Sequence, residues 1–213
     1  MKVILSSMAA LALSAFAAGA ATMSLDDGQT ESANALLVEE KTSVSVGSAA
    51  VTVDYLLGQN LSVGGTVLGV NTFSSGYALT AGTYDSYLIH FDPIGTAGAT
   101  TSGSFDFDGD IIALIVSNKG TSQLLNLSDV VFGADDITYE NETHRRSEGN
   151  DVNGDSFTLV DANTLSYDFK TTSRFIDNVR VITAVAPVPV PAALPLLLVG
   201  LGGLGLMKRR RKA

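Results

Sequence analysis

The chain has 213 residues, with 13 Lys and Arg against 22 Asp and Glu, for a formal net charge of −9. An acidic surface repels phosphate backbones, so nucleic acid is excluded as a partner. The absence of Cys excludes disulfides and thiolate metal sites, and the absence of Trp weakens any sugar-stacking platform.

Residues 1–20, MKVILSSMAALALSAFAAGA, have the layout of a secretory signal peptide. Lys2 is a minimal basic region, and an apolar stretch runs from about Met8 to Ala17. Ala18-Gly19-Ala20 fits a small-x-small cleavage site, which predicts cutting after Ala20. The Sec translocon and signal peptidase are the partners this implies. Six of the 13 cations lie in the two ends of the chain, whereas all 22 acids lie between them. The exported part, 21–186, therefore carries seven cations against 22 acids, a net charge of −15. Its length suits one domain with its own core.

Within that part the period becomes two from Thr42. Val44 and Val46 alternate with Ser43 and Ser45, 47–49 turns the chain, and Val51, Val53 and Tyr55 alternate with Thr52 and Asp54. This predicts a hairpin. Leu61 and Val63, then Gly64-Gly65, then Val67, Leu68 and Val70 predict a second hairpin on a two-residue turn. A short strand follows at 77–79. Residues 84–91 predict a strand with Tyr87, Ile89 and Phe91 on one face and Ser86, Leu88 and His90 on the other, ended by Pro93. Residues 95–103 read as a Gly/Thr/Ala loop. Phe105 and Phe107 alternate with Asp106 and Asp108, Gly109 bends the chain, and the apolar run 111–116 predicts a strand buried on both faces. Further strands are expected at 124–132, 137–139, 156–160, 165–169 and 175–185, with a long polar loop over 140–155 and a turn at Asp161-Ala162-Asn163. Roughly ten short strands and no soluble helix predict an all-β domain, an antiparallel β-sandwich of jelly-roll type.

The chain ends in VPVPAALPLLLVGLGGLGLMKRRRKA, 188–213. Pro187, Pro189 and Pro191 alternate with Val188 and Val190, which favours extended polyproline geometry. An uncharged run from 192 to 207 follows, about 24 Å long as a helix and so short for a ~30 Å hydrocarbon core. It spans if the bilayer thins or the flanking cations snorkel. Lys208, Arg209, Arg210, Arg211 and Lys212 then hold the C-terminus in the cytoplasm, which puts 21–186 outside.

These three parts resemble the PEP-CTERM class of bacterial sorting signals, in its VPLPA variant. Val188, Pro189, Val190, Pro191 and Ala192 stand where that motif stands, with Val190 in place of Leu. The resemblance implies three domains: signal peptide 1–20, extracytoplasmic domain 21–186, and sorting signal 187–213. It also implies recognition by an exosortase, a membrane-embedded cysteine protease, after transient anchoring in membrane lipid. Release to the cell surface or extracellular matrix would follow. The blocks SYLIHFDP, GSFDFDGDIIALIVSN, LNLSDVVFGA and NTLSYDF…DNVRVITA, within 86–184, are similar to a group of exported bacterial proteins with the same kind of tail.

Chemistry is sparse by comparison. Asp151, Asn153 and Asp155 occupy the first three ligand positions of a calcium loop. Ser156 stands where Gly is needed, Leu159 at the ninth position and Ala162 where a bidentate acid belongs. The stretch therefore reads as a solvated turn; no metal or other cofactor is assigned, with calcium at Asp151, Asn153 and Asp155 a weak candidate. Asp106, Asp108 and Asp110 share one face if they lie on a strand, an arrangement that either clamps a cation or, more commonly, is the wet face of an edge strand. His90 and His144 are the only histidines, and no nucleophile motif accompanies either. The expectation is a non-catalytic exported protein, structural or adhesive in the envelope or exopolysaccharide. The alternative is a carbohydrate-binding module, calcium-assisted, gripping polysaccharide through Tyr77, Tyr84 and Tyr87. Ice binding is a weaker variant, because Thr100-Thr101 and Thr171-Thr172 are too sparse for a regular face.

Overall fold

The structure is a computed structural model that describes residues 23–25, 30–69, 76–95, 98–116, 123–139, 154–171 and 176–186. In chain order the elements are β1 (Met23–Ser24), β2 (Leu36–Val46), β3 (Thr52–Val53), β4 (Tyr55–Leu56), β5 (Thr66–Leu68), β6 (Tyr77–Ala78), β7 (Gly82–Phe91), β8 (Thr100–Asp106), β9 (Ile111–Ile115), α1 (Leu124–Phe132), β10 (Ile137–Thr138), β11 (Ser156–Leu159), β12 (Thr164–Lys170) and β13 (Asp177–Ala184). The described residues are thus mostly β, in antiparallel sheets, with one short helix. Both expected targeting segments, 1–20 and 187–213, lie outside the described residues, as does the predicted helix 192–207.

Two sheets carry the fold. One has five strands in the order β2-β7-β13-β9-β4, the other four in the order β5-β11-β12-β8. All their pairings are antiparallel. Two-residue pairs, β3 with β6 and β1 with β10, complete the set, the last being parallel.

Alternation decides which faces meet. Tyr87, Ile89 and Phe91 of β7, Val179 and Val181 of β13, and Leu114 of β9 share a core with Phe157, Leu159, Leu165, Tyr167 and Phe169 of the smaller sheet. Ring contacts bridge the two sheets, Phe91 against Phe169 at 6.1 Å. The opposite face of the larger sheet is buried as well. Leu88, Ala113, Ile115 and Ile182 pack there with Val46, Val51, Val53, Leu79 and, from α1, Leu125 and Phe132. This is why 111–116 is apolar at every position.

Four sequence expectations need correction. Residues 124–132 form a helix, not a strand: Leu125, Ser128 and Phe132 fall on one buried stripe, spaced i, i+3, i+7 as a helical face requires. Val44–Tyr55 is not a hairpin. Ala49 takes a left-handed φ of 57° and the chain leaves β2 without pairing back; β2 pairs with β7 and β3 with β6. The long, doubly buried β7 offers β2 more apolar contact than a short local partner can. Residues 61–70 are not a hairpin either. Gly64 does turn at φ 76°, but its N–H donates to the carbonyl of Leu159, and Leu159 N–H donates to that of Gly65. The turn docks on β11, and β5 takes β11 as its partner. The expected loop 95–103 yields to β8 from Thr100 onward. Gly103 sits mid-strand because the Tyr167 ring fills the space beside it; a Cβ there would come within 2.7 Å of the phenolic oxygen.

The aromatic contact between the sheets yields a stability prediction. Phe169 is fully buried against Phe91, Phe157 and Tyr167. Phe169→Ala should cost about 3–5 kcal/mol in urea unfolding. Val130→Ala, at a helix position 87% exposed, should stay within about 0.5 kcal/mol.

Candidate functional site

A dense polar cluster lies between the larger sheet and α1. Arg180 points from β13 toward the helix with no exposed surface. Its Nε donates to Glu40 Oε2 and its Nη2 to Glu40 Oε1, both at 2.6 Å. Nη2 also reaches Asp129 Oδ1 at 2.8 Å. Nη1 donates to the carbonyl of Leu125, at 3.1 Å, and to Ser128 Oγ. Every N–H of the guanidinium therefore has an acceptor. Glu40 is equally committed, accepting from Ser86 Oγ and from the Tyr139 hydroxyl, each at 2.7 Å. Burial alone would lower the guanidinium pKa. The carboxylates of Glu40 and Asp129 outweigh that and hold it above its ordinary value, so the group stays charged. Burial, then the Glu40 charge, pushes Tyr139 up.

Local structure explains how Glu40 arrives. The register of β2 against β7 shifts between Glu39 and Lys41 and again before Val44, where Ser43 has a φ of 53°. These bulges add residues to β2 and aim Glu40 inward. The helix has no side-chain N-cap bond at Gln123. Its seat is instead set by Arg180 and by Leu125 and Phe132. Only Asp129 and Tyr139 of this cluster reach the surface, each in part, and the Arg180 and Glu40 head groups are buried, so its chemistry is internal pairing.

His90 is likewise internal. It is fully buried on β7; Nδ1 donates to Asn178 Oδ1 at 2.8 Å, which leaves Nε2 to accept from Thr30 Oγ1 at 2.7 Å. Burial pushes its pKa down to about 4. The second histidine, His144, lies with Arg145 and Arg146 outside the described residues.

Of the calcium candidates, Asp151 and Asn153 lie outside the described residues. Asp155 is buried, and its Oδ1 accepts the N–H of Lys170 at 2.8 Å while its carbonyl accepts from Gly69. That carboxylate ties the start of β11 to the end of β12. Asp106 ends β8 and accepts from Thr164 Oγ1 at 2.8 Å, whereas Asp108 and Asp110 follow the strand's end, so the expected common strand face does not form. Among the described residues no group of three or more acids and histidines is placed to hold a metal. The tyrosine platform is also not assembled. Tyr84 and Tyr87 are buried on opposite faces of β7, and Tyr77 is half-buried on β6.

A cavity of about 140 Å³ between α1 and the turn after β2, lined by Ala50, Val51, Thr52, Leu124, Leu127 and Ser128, is small beside the roughly 300 Å³ at which small-molecule pockets begin. A second polar surface, ordered by strand register, is the outer face of the four-stranded sheet. Register sets Thr66, Thr158, Ser166 and Ser104 in one row across the strands, and Leu68, Ser156, Asp168 and Ser102 in the next. Rows of this kind repeat at about 4.8 Å between strands and about 7 Å along them. Thr66 and Thr158 share a hydroxyl bond of 2.8 Å, and Ser166 donates to the carbonyl of Gly103. The face presents hydroxyls interspersed with Asp106, Asp168 and Lys170, hydrogen-bonding chemistry that meets sugar hydroxyls or water.

No family model, curated protein or solved structure matches this chain. Among the described residues, no helix is long and apolar enough to cross a membrane.

Sequence reasoning passed over the Arg180 cluster, although two signals mark it. Arg180 stands between Val179 and Val181 in an apolar strand, and Leu125, Ser128 and Phe132 carry a helical period.

Two predictions follow from the buried groups. Arg180→Met or Glu40→Gln alone strands a buried charge and should cost about 3–5 kcal/mol in urea unfolding, with the double variant losing less than the sum. For His90, folding lowers the pKa from its ordinary 6.5 to about 4. Above pH 6.5 the ring is neutral in both states and its contribution is intact. Between 6.5 and 4 the unfolded chain takes a proton that the fold refuses, so stability falls by about 3 kcal/mol and then levels. Unfolding curves across that window should show this loss in the wild type and not in His90→Gln.

Proposed function

We propose that this chain is a non-catalytic exported protein, delivered by its N-terminal signal and sorted at the membrane by residues 187–213, with a structural or adhesive role in the cell envelope or extracellular polymer. The observation that carries this reading is the order of three features in the tail: alternating prolines, a 16-residue uncharged run, and five consecutive cations. An extended proline strip outside the bilayer is a segment an intramembrane protease can grip without unwinding a helix. The exosortase and membrane lipid are its partners at that stage, and the cell surface or matrix is its destination. The domain between the signals is assigned to the jelly-roll type of β-sandwich, a reading supported by four- and five-stranded antiparallel sheets around one core, with the chain passing between them from β8 to β9 and from β12 to β13. The buried pairing of His90 and of Arg180 supports a structural role for these groups rather than a catalytic one.

The hydroxyl rows on the smaller sheet favour a second reading, a module that binds neutral polysaccharide through hydrogen bonds. A glycan array probed with the exported protein separates the two, since no binding at millimolar sugar leaves the structural role.

Processing is tested by intact mass. Protein collected from culture supernatant should start at Ala21 and lack the segment from Leu194 to Ala213, and full-length material confined to membranes would instead mean a plain anchor. Replacing Arg209, Arg210 and Arg211 with Ser should reduce processed product several-fold, because those charges set orientation.

A further inference from the structure

We propose that β8 is a pairing edge for a second copy of this chain, joined antiparallel about Gly103 so that the two four-stranded sheets become one sheet of eight. β8 is an outer strand, bonded to β12 alone among the described strands. Its pairing with β12 runs from Thr100 to Asp106 without a register shift. The carbonyl of Ala99 accepts from Thr171 and the N–H of Phe107 donates to Asn163, so odd-numbered residues of β8 turn their backbone groups toward β12. Strand alternation then aims the N–H and C=O of Thr100, Ser102, Ser104 and Asp106 away from the sheet.

The other three edges of the two sheets are blunted. β2 carries register shifts on either side of Lys41, a left-handed Ser43, and the charges of Glu39 and Lys41. β5 has three residues and β4 two. β8 has no proline, no bulge and a single charged residue, the combination that natural edges avoid when they are to stay unpaired.

The residue order fits a two-fold axis. With Gly103 opposite Gly103 of the other copy, Ser102 faces Ser104 and Thr100 faces Asp106, giving about eight backbone hydrogen bonds. Gly103 falls at a non-hydrogen-bonded pair, where Cα atoms approach to about 4.5 Å. Its inner side is already filled by Tyr167, so no side chain opposes the approach. Asp106 meets a threonine hydroxyl, repeating the 2.8 Å bond it makes with Thr164 inside the sheet. A parallel arrangement would set Asp106 against Asp106, which like-charge repulsion disfavours. The partner that fits is therefore a second copy, and the hydroxyl rows would continue across the join.

The chain has no cysteine of its own, so an introduced pair reports without background. Cells expressing the full chain with Ser102→Cys and Ser104→Cys together should give, on mild oxidation, a reducible dimer. Its yield should be at least about tenfold above either single variant, since only facing pairs lie within disulfide range. Thr100→Cys with Asp106→Cys, the outer pair of the same register, should cross-link as well, which guards against one pair disturbing the strand. Absence of dimer from both double variants overturns the proposal, as does equal cross-linking by the single variants.

Discussion

The constraint on which the described structure turns is the burial of one guanidinium. Arg180 lies between Val179 and Val181 on the central strand of the larger sheet, and none of the three has accessible surface. A cation taken out of water is tolerable only where counter-charge and acceptors are in place before solvent leaves. Two elements distant in sequence supply them. β2 brings Glu40 through a bulge, and α1 brings Asp129, Ser128 and the carbonyl of Leu125. Against an apolar replacement of the same volume such a cluster adds little net stability. Its effect is on arrangement. A slip of β2 by one residue along β7 would turn Glu40 to the other face and leave two buried charges unmatched. A helix rotated about its axis would lose Asp129 and Ser128 together. The ion pair thus sets the register of an edge strand and the seat of a helix that has no side-chain cap of its own.

That arrangement divides the molecule's surfaces. Both faces of the five-stranded sheet are covered, one by the smaller sheet and one by α1 and the short strands, which is why β7, β9 and β13 are buried almost throughout. The smaller sheet keeps one face wet, and β12 alternates accordingly, with Leu165, Tyr167 and Phe169 inward and Ser166, Asp168 and Lys170 outward. Any contact that the described strands make with another molecule must therefore pass through the hydroxyl face, a sheet edge or a connecting loop.

Much of this was legible in the order of residues, and the losses have physical causes. β7, β9, β11, β12 and β13 stand where alternation or a continuous apolar run put them, because long-range burial and local pattern agree there. The hairpins failed because turn chemistry reports that the chain bends, not which strand it meets next. Gly64 does turn, yet its N–H goes to Leu159. The helix failed because Leu-Asn-Leu-Ser in 124–132 alternates as a strand does, while the deciding stripe of Leu125, Ser128 and Phe132 becomes visible only at a period of 3.6. The Arg180 cluster was out of reach for a different reason: a sequence shows a cation in an apolar strand but not which acid, 140 positions away, meets it. The expected targeting segments lie outside the described residues, and their reading rests on the sequence alone.

The point where the chain leaves the domain bears on the proposed sorting step. β13 is the central strand of the larger sheet, flanked by β7 over eight paired residues and by β9 on its other side. Its last residue, Ala184, donates to the carbonyl of Asp110, and Gly109 passes so close to the Ala184 carbonyl that a Cβ there would overlap it, at 1.8 Å. Tension on a tail attached here loads the β13 pairings along the strand axis, so its many cross-strand bonds must yield together rather than one at a time. An edge strand tethered in the same way, bonded on one side only, would peel more readily. On the proposed function, joining the tail to the best-held strand would let a membrane protease draw on the proline strip while the exported domain stayed folded.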